Sequence, residues 1–299
     1  MCSSDLGWYW QMFDDQAGPE GNLVGAFAGK ASRQVGSAVS AVSGYTAPAG
    51  MSDLVTAMAA DGTLHAVYAG NGGLWHVAID ASLKPGKPAK IANALVNPNL
   101  AILSDGRVSV IAYDPAAKQF VELKGRAGAA FTRAAVTLAG ADGATIADPF
   151  AYQAVRGDTQ FLFFYGSRGG KTEGLLFSRS GDETAFTFCG AIGGLGYFRQ
   201  VNRPSFDAMP DGRVVLVTDV GGYGARFEIK PDVLTLSGGD RLPLNFGVAL
   251  APVTGSYIAV DQTGALHDYP ASGEPAKSDL KLWVDHHGQG ANQIGRAHV

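Results

Sequence analysis

The chain has 299 residues, of which 46% are hydrophobic and 17% charged. That balance excludes a disordered polypeptide and permits a large buried core. The net charge is −4 with no basic tract or arginine stripe, which argues against a nucleic-acid partner, and no run of about 18 apolar residues exists to span a membrane.

Taken in chain order, the first residues do not read as a folded element. Cys2-Ser3-Ser4-Asp5 can be encoded by TGC TCT TCC GAT, the reverse complement of ATC GGA AGA GCA, which encodes Ile294-Gly295-Arg296-Ala297. Continuing through His298 and Val299 gives CAC GTC, the pattern of read-through into a sequencing adapter. Met1–Leu6 and Ile294–Val299 are therefore expected to be adapter-derived scars on a metagenomic fragment, with the gene cut short at both ends and a single domain over 7–293.

The 41 glycines point to many tight turns, and a repeat uses them. An apolar strand, a turn and a second apolar strand recur as Leu54–Ala60 and Leu64–Ala69 around Asp61-Gly62, then Leu100–Ser104 and Val108–Tyr113 around Asp105-Gly106. Phe150–Val155 and Phe161–Tyr165 follow around Gly157-Asp158, then Ser205–Met209 and Val214–Thr218 around Asp211-Gly212. Weaker copies flank these: Trp8–Phe13 and Leu23–Phe27 across Glu20-Gly21, and Val248–Val253 and Tyr257–Val260 across Thr254-Gly255. Asp-Gly between alternating apolar runs is a hairpin signal. Further strand-like runs follow the hairpins at Gly73–Ile79, Gln119–Leu123, Gly174–Ser178 and Ala225–Ile229.

The turns recur every 41 to 54 residues, the length of one four-stranded propeller blade. A sandwich turns every 8–12 residues without a longer period, and a β-helix repeats over a much shorter one. The expected fold is all-β, a β-propeller of about six four-stranded blades.

In a propeller, the start of each first strand and the loop after each second strand share one face over the axis, opposite the hairpin turns. The first strands begin at Asp53-Leu54, Asn97-Pro98, Asp148-Pro149, Asn202-Arg203-Pro204 and Asn245-Phe246, so polar residues ring one mouth. The loops after the second strands include Gly29–Arg33, Gly70-Asn71-Gly72, Asp114-Pro115, Tyr165–Glu173 and Asp219–Tyr223, with 165–173 the richest in glycine and charge.

Glycoside hydrolysis needs two carboxylates flanking one bond. Asp148, Asp53, Asp219 and Glu173 are the candidate catalytic residues, Asp148 first among them as an aspartate before proline on an innermost strand. Arg203, Arg33 and Arg168 are candidate anion clamps, since a guanidinium fork matches a carboxylate. Asn97 and Tyr165 complete the candidate substrate-binding set. No metal or cofactor is expected: Asp285-His286-His287 places adjacent histidines on opposite strand faces, and Gly190–Gly196 lacks the helix a phosphate cradle needs. With Cys2 set aside, Cys189 is the single thiol and reads as a buried, inert one.

Asp148-Pro149-Phe150 with Phe161–Tyr165 and Gly174–Ser178 resembles a blade of the five-bladed glycosidases related to arabinanases and invertases. Asn202-Arg203-Pro204-Ser205 with Pro210–Arg213 and Val217 resembles a blade of the six-bladed sialidase-like group. The resemblance covers about two blades and implies work on carbohydrate, with a carboxylate at the position of Asp148. The leading expectation is a bacterial-type, extracytoplasmic (secreted or periplasmic) glycoside hydrolase with a carbohydrate ligand. Its rival is a non-catalytic propeller that binds glycan or protein.

Overall fold

The computed structural model describes residues 7–8, 27–28, 52–80, 84–181, 183–192, 205–208, 214–219, 224–230, 235–242, 246–251, 256–260, 265–269 and 276–281. Every regular element among them is a β-strand.

A short pair, β1 (Gly7–Trp8) and β2 (Phe27–Ala28), comes first. The first full sheet is β3 (Ser52–Met58), β4 (Leu64–Gly70), β5 (Gly73–Ile79) and β6 (Ala89–Asn93). The second is β7 (Val96–Ile102), β8 (Val108–Asp114), β9 (Gln119–Gly125) and β10 (Thr132–Ala135). After β11 (Thr137–Ala139) come β12 (Thr145–Arg156), β13 (Thr159–Arg168), β14 (Lys171–Ser180) and β15 (Ala185–Ile192) of the third. The fourth is β16 (Ser205–Ala208), β17 (Val214–Asp219), β18 (Gly224–Lys230) and β19 (Thr235–Leu242). The fifth is β20 (Phe246–Ala251), β21 (Ser256–Val260), β22 (Ala265–Tyr269) and β23 (Ala276–Lys281).

Each sheet is an antiparallel meander in chain order, and the first strands are neighbours in series: β3 lies beside β7, β7 beside β12, β12 beside β16 and β16 beside β20. Radial meanders with their first strands innermost make a β-propeller. Of the six expected repeats, five are four-stranded meanders. The first, around Glu20-Gly21, lies mostly outside the described residues, as do the turns at Asp211-Gly212 and Thr254-Gly255. One addition was not expected: β11 pairs parallel with β15, so a segment leaving the second blade covers the outer edge of the third and satisfies backbone groups an open edge would leave unpaired.

The strands hold because both faces of the middle blades are buried. Side chains alternate across a strand, so Phe161, Phe163 and Tyr165 pack with Phe206, Val214 and Leu216 of the fourth blade. Leu162 and Phe164 pack with Ile111 and Phe120 of the second. Val55, Val67 and Leu74 meet Leu100, Val108, Val110 and Leu123 across the first seam. This explains the unbroken apolar run Phe161–Tyr165, where a sheet with one wet face would alternate with polar residues. Burying each such side chain contributes about 1.5–3 kcal/mol.

Candidate functional site

The mouth is built by irregularities at the starts of the innermost strands. Ordinary pairing between β3 and β4 breaks between Ser52 and Val55, and between β7 and β8 it breaks between Val96 and Asn99. In each case two residues, Asp53-Leu54 or Asn97-Pro98, face one on the partner strand, which defines a β-bulge. Asp53 and Asn97 both adopt a left-handed backbone at φ 52, which Asn and Asp tolerate better than other side-chain-bearing residues. In the third blade the break is larger, running from Ile146 to Ala151 against Gly166 and Phe164. Residues 147–150, with Asp148 among them, form an arch opposite Tyr165 alone. Proline at 98 and at 149 suits these positions, since it has no N–H to leave unpaired.

Asp148 is 9% exposed. The Asn97 side-chain amide donates to the Pro149 carbonyl at 3.1 Å, so the bulge of the second blade touches the arch of the third. Two residues on, Asn99 accepts from the Gln153 backbone N–H at 2.9 Å, and its carbonyl accepts from the Gln153 side chain, also at 2.9 Å. At the opposite end of the same strands, Ser104 donates to Asp158 at 2.7 Å. β7 and β12 belong to different sheets, so these side chains take the place of a backbone ladder.

The segment 165–173 is not the open loop its composition suggested. β13 continues to Arg168, the chain turns at Gly169-Gly170, and β14 begins at Lys171, with Arg168 opposite Lys171 and Gly166 opposite Glu173. Both turn glycines have positive φ, 58 and 77, a conformation that a side-chain-bearing residue rarely adopts. Arg168 donates to Glu173 through Nε and approaches it through Nη2, each at 3.1 Å, and lies 5.1 Å over the Phe188 ring. Glu173 stands at the Asp148 end of the third blade, two strands across from Ile146, a backbone separation of about 10 Å.

Tyr165 is 7% exposed and stacks edge-on against Phe163 with ring centroids 5.4 Å apart, so its ring belongs to the seam between the third and fourth blades. Asp219 ends β17 opposite Gly224, which puts its backbone at the same end of its blade. Arg33, Arg203 and the Asp285-His286-His287 segment lie outside the described residues. Cys189 is half-buried, 3.0 Å from the Ser178 hydroxyl; burial pushes its thiol up, against the hydrogen bond from Ser178. No group of three or more His, Cys, Asp or Glu side chains is gathered to hold a metal among the described residues, and no helix there is long and apolar enough to cross a membrane.

A polar cluster that the strand patterns did not single out lies in the seam between the second and third blades. Glu122 accepts from Ser109 at 2.7 Å and from Arg179. Arg179 also donates to Gln160 Oε1 at 2.7 and 3.0 Å, and Gln160 donates to Gln153 at 2.5 Å. All five side chains are buried, and Arg179 covers the Phe186 ring at 4.2 Å. The signal was present in the sequence as polar residues on the strand face that carries Ile111, Phe120, Leu162 and Phe177.

No family model matches the chain, and no curated protein is similar to it. Solved structures are similar to it. An α-L-arabinofuranosidase of Fusarium graminearum superposes with a TM-score of 0.51 at 11% identity, over 81% of this chain and 83% of that one. A protein of unknown function from Dyadobacter fermentans gives 0.49 at 10% identity, over 73% and 74%. An α-L-arabinanase of Penicillium chrysogenum gives 0.47 at 11%, over 75% and 80%. At 11% identity what the chain shares with the arabinofuranosidase is the fold.

Proposed function

We propose that the chain is a carbohydrate-active propeller, a glycoside hydrolase whose chemistry is carried by Asp148 at the axial mouth. The observation that carries this reading is the arch at 147–150. A bulge of that size at the rim of a propeller redirects a side chain out of the regular pleat, and the side chain here is a carboxylate on an innermost strand. Glycoside cleavage requires a second carboxylate, to activate water or to attack the sugar while the first protonates the leaving oxygen. Asp53, Asp219 and Glu173 are the candidates to supply it, with Arg33, Arg168 and Arg203 as candidate clamps on an acidic sugar. The fold shared with an arabinofuranosidase is compatible with such a substrate, and one fold serves many functions. An enzyme of this kind would act outside the cytoplasm, where polysaccharide is met, as one domain spanning 7–293.

A second reading, a glycan-binding propeller without catalysis, draws on one contact: Glu173 is already engaged by Arg168. Hydrolysis of a panel of aryl glycosides and polysaccharides, with Asp148→Asn as control, separates the two. Turnover abolished by Asp148→Asn in a folded protein supports the hydrolase. Absence of turnover across the panel, with binding on a glycan array, supports the module.

A further inference from the structure

We infer that Asn97 is a positioning residue for Asp148. The inference rests on the reading of Asp148 as the working carboxylate. The register of β12 with β13 is interrupted at the arch, where the pairing passes from Ile146 directly to Ala151. A contact from outside its own sheet can fix the backbone on which that carboxylate sits. Asn97 does so from the neighbouring blade, its amide donating to the carbonyl of Pro149, the residue after Asp148, at 3.1 Å.

Two features make Asn the residue suited to this place. The backbone at 97 is left-handed, φ 52, which Asn and Gly adopt readily and β-branched residues do not. The partner is a carbonyl, so a donor is required: Asp, of the same size and backbone tolerance, has no N–H to give. The contact also has a second anchor. Asn99 holds the backbone N–H of Gln153 at 2.9 Å, so the Asn97-Pro98-Asn99 segment grips β12 within the arch at 149 and beyond it at 153. Displacement of a reacting group by about 1 Å can cost about 100-fold in rate, and loss of the nearer anchor frees the residue adjacent to Asp148.

The test uses the full chain with Asn97→Gly, which keeps the left-handed backbone and removes the amide, and Asn97→Asp, which keeps the shape and removes the donor. Amide hydrogen exchange is followed over 145–156, and kcat and KM are measured on any glycoside the wild type cleaves. The expected result is exchange at 147–150 faster by about tenfold or more in both variants, with the paired stretch 151–156 unchanged. It comes with kcat lower by about 10- to 100-fold and KM within about threefold. Should Asn97→Gly not fold, Asn97→Asp gives the same two readouts. Exchange at 147–150 equal to wild type overturns the inference, and so does faster exchange with kcat unchanged. A wild type without turnover sinks the hydrolase reading instead, and the exchange result then decides by itself whether Asn97 holds the arch.

Discussion

His65 Nδ1 and His76 Nε2 lie 3.0 Å apart in two stacked rings, one on β4 and one on β5, with both side chains buried at the seam between the first and second blades. Phe131 of the second blade tilts over His76 with centroids 5.3 Å apart. One imidazole can donate to the other only while at least one is neutral, and a proton added to either ring meets a dry, apolar seam. Burial first, and then the charge of His65, push His76 down to about 4. Burial likewise lowers His65, with Asp61 acting weakly in the opposite direction.

The folded protein therefore resists a proton that the unfolded chain accepts. Stability is full above the unfolded value of about 6.5 and declines as pH falls toward about 4, where His76 finally titrates. The decline attributable to His76 is about 3 kcal/mol over that window. Urea unfolding at a series of pH values between 7 and 4 measures it. His76→Phe, which preserves a ring against Phe131, should flatten the curve, and an unchanged slope in that variant would show that the pair is not the cause.

The Glu122–Arg179 ion pair is buried on both sides, each side chain 5% exposed. Burial alone would raise the Glu122 carboxyl, but hydrogen bonds from Arg179 and Ser109 and the charges of Arg179 and Lys124 hold it below its usual 4.5. Its contribution is present above pH 4.5 and is lost as pH falls below that value, a window lower than that of the histidines. Arg179→Met leaves the buried carboxylate with Lys124 alone as charge partner, 3.4 Å away, and the expected cost is at most about 3–5 kcal/mol. Glu122→Gln combined with Arg179→Met should cost less than the sum of the single changes, because one network is dismantled once. Additive costs in a double-mutant cycle would mean that the two residues act independently.

How much of this was legible beforehand depends on how local the cause is. The hairpin turns were readable because their chemistry is contained in five residues. In both described Asp-Gly turns the aspartate accepts from the N–H two residues on, Asp61 from Thr63 and Asp105 from Arg107, each at 2.8 Å. The glycines that follow have φ 83 and 76, and the two turns are built alike. The starts of the innermost strands were readable as polar positions before apolar runs. Their bulges were not, because the arch at Asp148 depends on Asn97, about fifty residues away in sequence. The reading of 165–173 as a loop failed for the same reason: glycine and charge suggested a loop, whereas pairing of Ser167 with Thr145 and of Gly166 with Ile146 and Glu173 extends the ladder to the turn. The Glu122 cluster escaped notice because each member looks, within its own strand, like a stray polar residue.

That extended ladder makes Gly166 a tight point near the mouth. A Cβ there would lie 2.3 Å from Leu175 Cδ1 and 3.0 Å from the Thr145 carbonyl oxygen. The first contact can be relieved by a rotamer change of Leu175, but that side chain is fully buried against Phe164 and Phe177; the second is with backbone. Gly166→Ala is expected to destabilise by about 1–3 kcal/mol, the usual cost of overpacking. Gly157→Ala, at a hairpin turn with φ 54 and open space around the added atom, isolates the cost of the backbone conformation alone. Thermal unfolding of the two variants separates steric from conformational strain, and equal losses would remove the steric argument at 166.

The Arg168–Glu173 pair gives the opposite expectation. Its geometry is good, with two nitrogens at 3.1 Å from one oxygen, but the Arg168 side chain is 39% exposed, so water and salt compete for both charges. Exposed pairs contribute about 0.2–1 kcal/mol, and the contact with Phe188 adds about 0.5–1 kcal/mol at such exposure. Arg168→Lys keeps the charge and loses both the fork and the flat face that lies over the ring. The expected loss is no more than about 1.5 kcal/mol, and the part due to the ion pair should shrink between 0.05 and 0.5 M salt, as the screening length falls from roughly 14 to 4 Å. Denaturant unfolding of wild type and variant at the two salt concentrations measures this. A loss above about 3 kcal/mol, insensitive to salt, would mean that the pair is buried in solution and that the hairpin tip folds down against the blade.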